Sequence, residues 1–246
     1  MEVTPAHLKE FEREAVEGAQ FDRAGLKNGV WNDYKGGKAH AVAYECDIAF
    51  VAAILPATSK IPLDVWGRIF QLFGKAASGD KWKVFWFGAT APRKFPADGL
   101  PLDPQHLNGG YTTICSTRGI FIYRLEEATR VLIHEMLHAA CLDPHDADLP
   151  TREATVETWA EVIFVALRAG GRLSAAKRLW TLQTQWVADT NHRAKTRHSV
   201  RSKDDYGWRY LNGREHVYQS LGLALPGPSS GHIPERSRFT HPTLGD

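Results

Sequence analysis

Five consecutive residues, His134-Glu135-Met136-Leu137-His138, bring two imidazoles and a carboxylate together at a spacing suited to metal-assisted hydrolysis. On an α-helix, positions i and i+4 share a face, so both imidazoles converge on one ion. Glu135 is rotated roughly 100° around the helix from His134, where its carboxylate reaches a metal-bound water rather than the metal. A zinc ion held by such residues keeps an open position for water and lowers its pKa toward roughly 7. A carboxylate beside that water takes its proton as it attacks a polarised carbonyl.

The flanking residues must hold this pattern on a helix. Leu125 to Ile133 contains neither Gly nor Pro and spaces its apolar residues helically, with Glu126 and Glu127 in the expected first turn and Asp143-Pro144 beyond the end. A second helix is predicted over Arg152 to Phe164, opened by Pro150-Thr151 and closed by Gly170-Gly171. On it Glu153, Glu157 and Glu161 recur every fourth residue, and Glu157 shares a stripe with Ala154, Ala160 and Phe164. A carboxylate on a buried stripe needs a partner, which makes Glu157 the candidate third metal ligand. Glu161, one turn on, is placed to accept the second N–H of a ligating histidine. In the alternative register Glu153 is the ligand and Glu157 the supporting acceptor.

This combination, H-E-x-x-H followed by a helix with E-x-x-x-E, resembles the gluzincin branch of the zincin metallopeptidases. Nineteen positions separate His138 from Glu157, similar to thermolysin-like and aminopeptidase-like members. Glu157-Thr158-Trp159-Ala160-Glu161 resembles the N-E-G-F-A-E segment of the latter. The resemblance spans Gly110 to Leu167. It implies zinc on His134, His138 and Glu157, Glu135 as general base, Glu161 behind the ligands, and a peptide or protein substrate. It also implies an α+β fold in which a small mixed sheet with an edge strand packs on the active helix, followed by a mainly helical C-terminal part. Val156 departs from the pattern, since many gluzincins carry Asn there. The metzincin branch fits less well, because Cys141 and Pro144 stand where it needs Gly and His, with His145 one residue late. Cys141 is either a further metal ligand or a small buried hydrophobe, and the latter is expected.

The rest of the chain supplies the frame. Lys81–Phe87, Tyr111–Cys115 and Gly119–Tyr123 are aromatic and β-branched and read as strands, either of the last two able to pair with an extended peptide. Pro62 to Ala77 reads as an amphipathic helix, Ala41 to Leu55 as a core helix, and the first 20 residues as helical. The segment after Gly171 continues helically to about Asp189. Zincins also need an oxyanion donor, for which Tyr206, Tyr210, His192 and His198 qualify by type.

With 246 residues and 43% hydrophobic content, the chain can bury one catalytic domain over 1–224, or lobes 1–143 and 144–224, with 225–246 a mobile Pro/Gly/Ser-rich tail. Three separated cysteines argue against a disulfide framework. Neither a signal pattern nor a membrane span is visible, so a cytoplasmic location without membrane partners is expected. The net charge of +2 excludes a strong overall electrostatic preference, although 188–214 holds seven Arg or Lys against three Asp. Against the peptidase stands a non-proteolytic zincin scaffold for binding or assembly, with nucleic acid a partner through that stretch.

Overall fold

A computed structural model of the chain describes residues 2–229 and 234–245, which form helices and a small sheet. The elements run α1 (Pro5–Val16), a 3₁₀ turn (Glu17–Phe21), α2 (Leu26–Lys35), β1 (Ala39–Glu45), β2 (Ala49–Pro56), α3 (Leu63–Phe73) and β3 (Trp82–Phe87). They continue with α4 (Pro104–Leu107), β4 (Gly110–Thr112), β5 (Ile120–Ile122), α5 (Ala128–Ala139), α6 (Leu149–Ala169), α7 (Leu173–Arg197) and α8 (Asn212–Ser220). The fold is α+β. Two compact units form, one from Met1–Ala91 with Asn108–Leu142, the other from Pro92–Leu107 with Asp143–Asp246.

The first unit is organised by a five-stranded mixed sheet in the order β1-β2-β3-β5-β4. β2, β3 and β5 run parallel, while β1 and β4 pair antiparallel at the two edges. Central β2 is apolar on both faces, as a strand covered on both sides must be. Its Phe50, Ala52 and Ile54 join Phe85, Phe87 and Phe121 beneath Phe11 of α1 and Trp31 of α2. The opposite face receives α3 and α5, where Trp66 and Trp86 lie 5.1 Å apart. The core helix expected over Ala41 to Leu55 is instead the β1–β2 hairpin. Cys46-Asp47-Ile48 forms its turn, and the apolar run reads as a doubly buried strand next to a half-buried one, a pattern short runs share with helices.

The second unit is helical. α6 begins at Asp148, whose carboxylate accepts from the Thr151 N–H at 2.9 Å, and ends at Gly170 in a left-handed conformation. α7 runs eight residues past the expected end near Asp189. Part of the stretch expected as a mobile tail is packed: Ser237, Phe239 and Thr240 are buried, and Phe239 belongs to the core with Leu102, Trp208 and Leu211, whereas 226–229 are exposed. Gln183 and Trp186 of α7 donate to the carbonyls of Phe239 and Arg238. Residues 230–233 and 246 of that stretch lie outside the described residues. Composition misled because a strap can be rich in Pro and Ser and still be fixed by hydrogen bonds to its backbone. Among the described residues, no helix is long and apolar enough to cross a membrane.

Two outcomes follow. Phe239→Ala should destabilise the second unit by about 3–5 kcal/mol, read as a lower urea midpoint. The Asp148 carboxyl is held at about 2, below its ordinary 3.8, by the Thr151 hydroxyl, then Lys203, then the Thr151 N–H. A depressed pKa means the α6 cap is complete above pH 3.8 and is lost as pH falls through about 2. Amide exchange in the first turn of α6, corrected for intrinsic rate, should therefore accelerate over that window and not between pH 5 and 8.

Candidate functional site

All twelve residues of α5 are buried, including His134, Glu135 and His138. The helix starts later than its pattern predicts, because Glu127 takes a left-handed conformation at the N-cap and Ala128 opens the first turn. Its Thr129 hydroxyl accepts the Trp66 indole N–H at 3.0 Å, fixing the helix to α3. One turn apart on the same face, His134 and His138 bring their Nε2 atoms to 3.1 Å, with the rings at 72°. Two nitrogens on a tetrahedral zinc, each about 2.0–2.1 Å from it, stand roughly 3.3 Å apart, so this pair fits as two ligands of one ion.

Glu135 points toward the sheet. A Cβ placed on Gly110 would come within 3.2 Å of its Oε1, 2.6 Å of Val131 Cγ1 and 2.9 Å of the Phe121 carbonyl oxygen. Edge strand β4 thus lies directly against α5, and only glycine allows that approach. The strand's outer end is fixed by a buried polar cluster. The Tyr111 hydroxyl donates to Glu14, and Lys27 Nζ donates to Tyr111 and, at 3.0 Å, to the Gly18 carbonyl. Burial lowers the pKa of Lys27 against the pull of Glu14. Burial, and then the Glu14 carboxylate, push Tyr111 up, so its hydroxyl stays a donor. Gly110, Tyr111, Lys27 and Glu14 escaped sequence reasoning as a group. The one available signal was a glycine opening a strand, which marks close backbone approach.

The other candidates lie on the second unit. Glu157 is 1% exposed on the stripe with Ala154, Ala160 and Phe164, the burial its spacing predicts. Glu153 is half-buried and borders Tyr210, whose phenol is pushed well up by burial first and by Glu153 next. Glu161 is occupied differently from the supporting role expected of it. Arg214 donates to Oε2 at 2.8 Å and Gln183 to Oε1 at 2.7 Å, which joins α6 to α8 and α7. Of the oxyanion candidates, His198 stacks on Phe95 and bonds the Leu100 carbonyl, while His192 is exposed. The Tyr206 and Tyr210 hydroxyls meet at 3.5 Å.

Many cations of 188–214 are engaged. Arg193 and Arg197 reach Asp98, Lys195 pairs with Glu215, and Lys203 with Asp148. These pairs reduce the charge offered to an anionic partner. The cysteines depart from expectation, since Cys141 is exposed and disulfide-bonded to Cys115 rather than buried alone. The left-handed turn after α5 carries its side chain outward. No family model, no curated protein and no solved structure matches the chain.

Gly110→Ala should separate β4 from α5 and displace Glu135. The expected cost is about 1–3 kcal/mol of stability, with faster amide exchange in Gly110–Thr112 as the second readout. Unchanged exchange there would refute the close approach.

Proposed function

We propose that the chain is a zinc-dependent metallopeptidase of gluzincin-like, zincin type. The observation that carries the reading is the pair of buried Nε2 atoms 3.1 Å apart on α5, with the buried Glu135 carboxylate beside them. His134 and His138 would hold the ion together with a carboxylate of α6. Glu153, which groups with His134 and His138 as a candidate metal site, is taken as that ligand, with the more deeply buried Glu157 completing the set in the other register. When bound, zinc supplies Lewis acidity toward a carbonyl oxygen and a water of lowered pKa.

The chain's own residues do the remainder. Glu135 takes a proton from the attacking water and returns it to the leaving amine nitrogen. β4, an edge with β5 on one side, offers main-chain donors and acceptors to an extended peptide, which accounts for recognition independent of side-chain sequence. Tyr206 and Tyr210, whose hydroxyls meet at 3.5 Å, remain candidate oxyanion donors by type. Glu161 acts structurally, through Arg214 and Gln183.

Purified protein should contain about one zinc per chain. Glu135→Gln should keep that zinc and lose peptide cleavage by about 10²–10⁴-fold. Glu153→Gln should weaken zinc binding more than Glu157→Gln does, and the reverse order assigns Glu157 as ligand. Protein that binds no zinc, or an E135Q variant that cleaves like wild type, refutes the peptidase and leaves the non-proteolytic scaffold as the reading.

A further inference from the structure

The C-terminal end of α5 carries a device that the proposed hydrolysis does not use. Cys115, in the loop that joins β4 to β5, forms a disulfide with Cys141, two residues past the helix. Both residues are exposed, and their Cα atoms lie 4.5 Å apart. Their backbone N–H groups donate to one acceptor, the His138 carbonyl, at 3.0 and 3.1 Å. Leu142 N–H bonds the Leu137 carbonyl at 3.0 Å, so α5 closes in a Schellman arrangement with Cys141 at the position glycine usually takes. Both cysteines have left-handed backbones, with φ of 56° and 60°, a conformation that side chains disfavour. The sulfur bridge and the shared carbonyl hold them there.

We propose that Cys115–Cys141 is a thiol-reversible modification site that clamps the His138 end of α5 to the edge hairpin, and that a dithiol reductant opens it. Only the link to metal retention rests on the proposed zinc centre. In the exchange, one thiolate of the dithiol attacks a cystine sulfur and breaks the S–S bond, forming a mixed disulfide. Its second thiolate then closes on the first and releases the remaining cysteine. The dithiol ends as a cyclic disulfide, and two electrons and two protons end on Cys115 and Cys141. Once open, the 113–119 loop is still held by the β4–β5 pairing, the Thr112 hydroxyl on the Gly119 carbonyl and the hydrogen bond of Cys115 to His138, but no longer by a covalent link to the end of α5. Cys141 is then free to leave its left-handed turn, and the last turn of α5, with His138 in it, loosens.

The test uses the full chain, air-oxidised or reduced with dithiothreitol that is removed anaerobically. Maleimide should label one cysteine in the oxidised protein, the exposed Cys46, and three after reduction. Reduction should speed amide exchange across 113–119 and 136–142 at least tenfold, leave β2 unchanged, and quicken zinc transfer to a chromophoric chelator. The variant Cys115→Ser/Cys141→Gly, with glycine suited to the left-handed turn, should exchange like the reduced protein. Three labelled cysteines without reductant, or equal exchange in the two forms, overturns the clamp. Faster exchange with unaltered zinc transfer overturns its link to His138. Faster exchange in a protein that never holds zinc upholds the clamp and removes the peptidase reading instead.

Discussion

Withdrawing two imidazoles and a carboxylate from water on one helix is the constraint around which the first unit is built. Each buried polar group costs several kcal/mol unless a hydrogen bond, a charge or a metal satisfies it. α5 accepts that cost at His134, Glu135 and His138 while burying its whole circumference. The sheet therefore has to approach closely enough to exclude solvent, and Gly110 makes the approach possible. Trp66 holds the helix from the side of α3, and the Schellman turn fixes where it stops. Such rigidity has a chemical use, because two Nε2 atoms can serve one ion only if their separation is fixed.

The second unit meets the same constraint with opposite charges. Glu161 and Arg214 are both fully buried, and removing either would strand the other in a low-dielectric interior. Gln183 occupies the second carboxylate oxygen and also bonds the strap, so one polar knot sets α6, α7, α8 and residues 239–241 together. The orientation of the α6 stripe follows from this knot. Glu157 and Glu153 lie one and two turns before Glu161 on the same helix.

Local patterns were legible in the chain and long-range partners were not. H-E-x-x-H on an apolar helix, the aromatic run of β3, and the capped ends of α6 are each written within about twenty residues, and each is where its spacing places it. The hairpin of β1 and β2 was obscured because a buried strand and a buried helix share an unbroken apolar run. Cys115 with Cys141, and Glu161 with Arg214, are matches between distant segments, on which residue type alone carries no information. The strap was misread for a related reason. Its Pro, Gly and Ser content describes a chain without a core of its own, whereas its order comes from the indole of Trp186 and the amide of Gln183.

The interleaving of the two units bears on the order in which they can form. Pro92–Leu107 leaves the first unit between β3 and β4 to join a core that also needs Trp208 and Phe239. During synthesis, Phe95 and Leu102 emerge more than a hundred residues before those partners and must wait, solvated or provisionally covered, for the chain to catch up. The residues of the first unit are all present once α5 and the turn to Leu142 have been made. The core that holds Phe95 and Leu102 is thus complete only once residues as late as Phe239 have joined it.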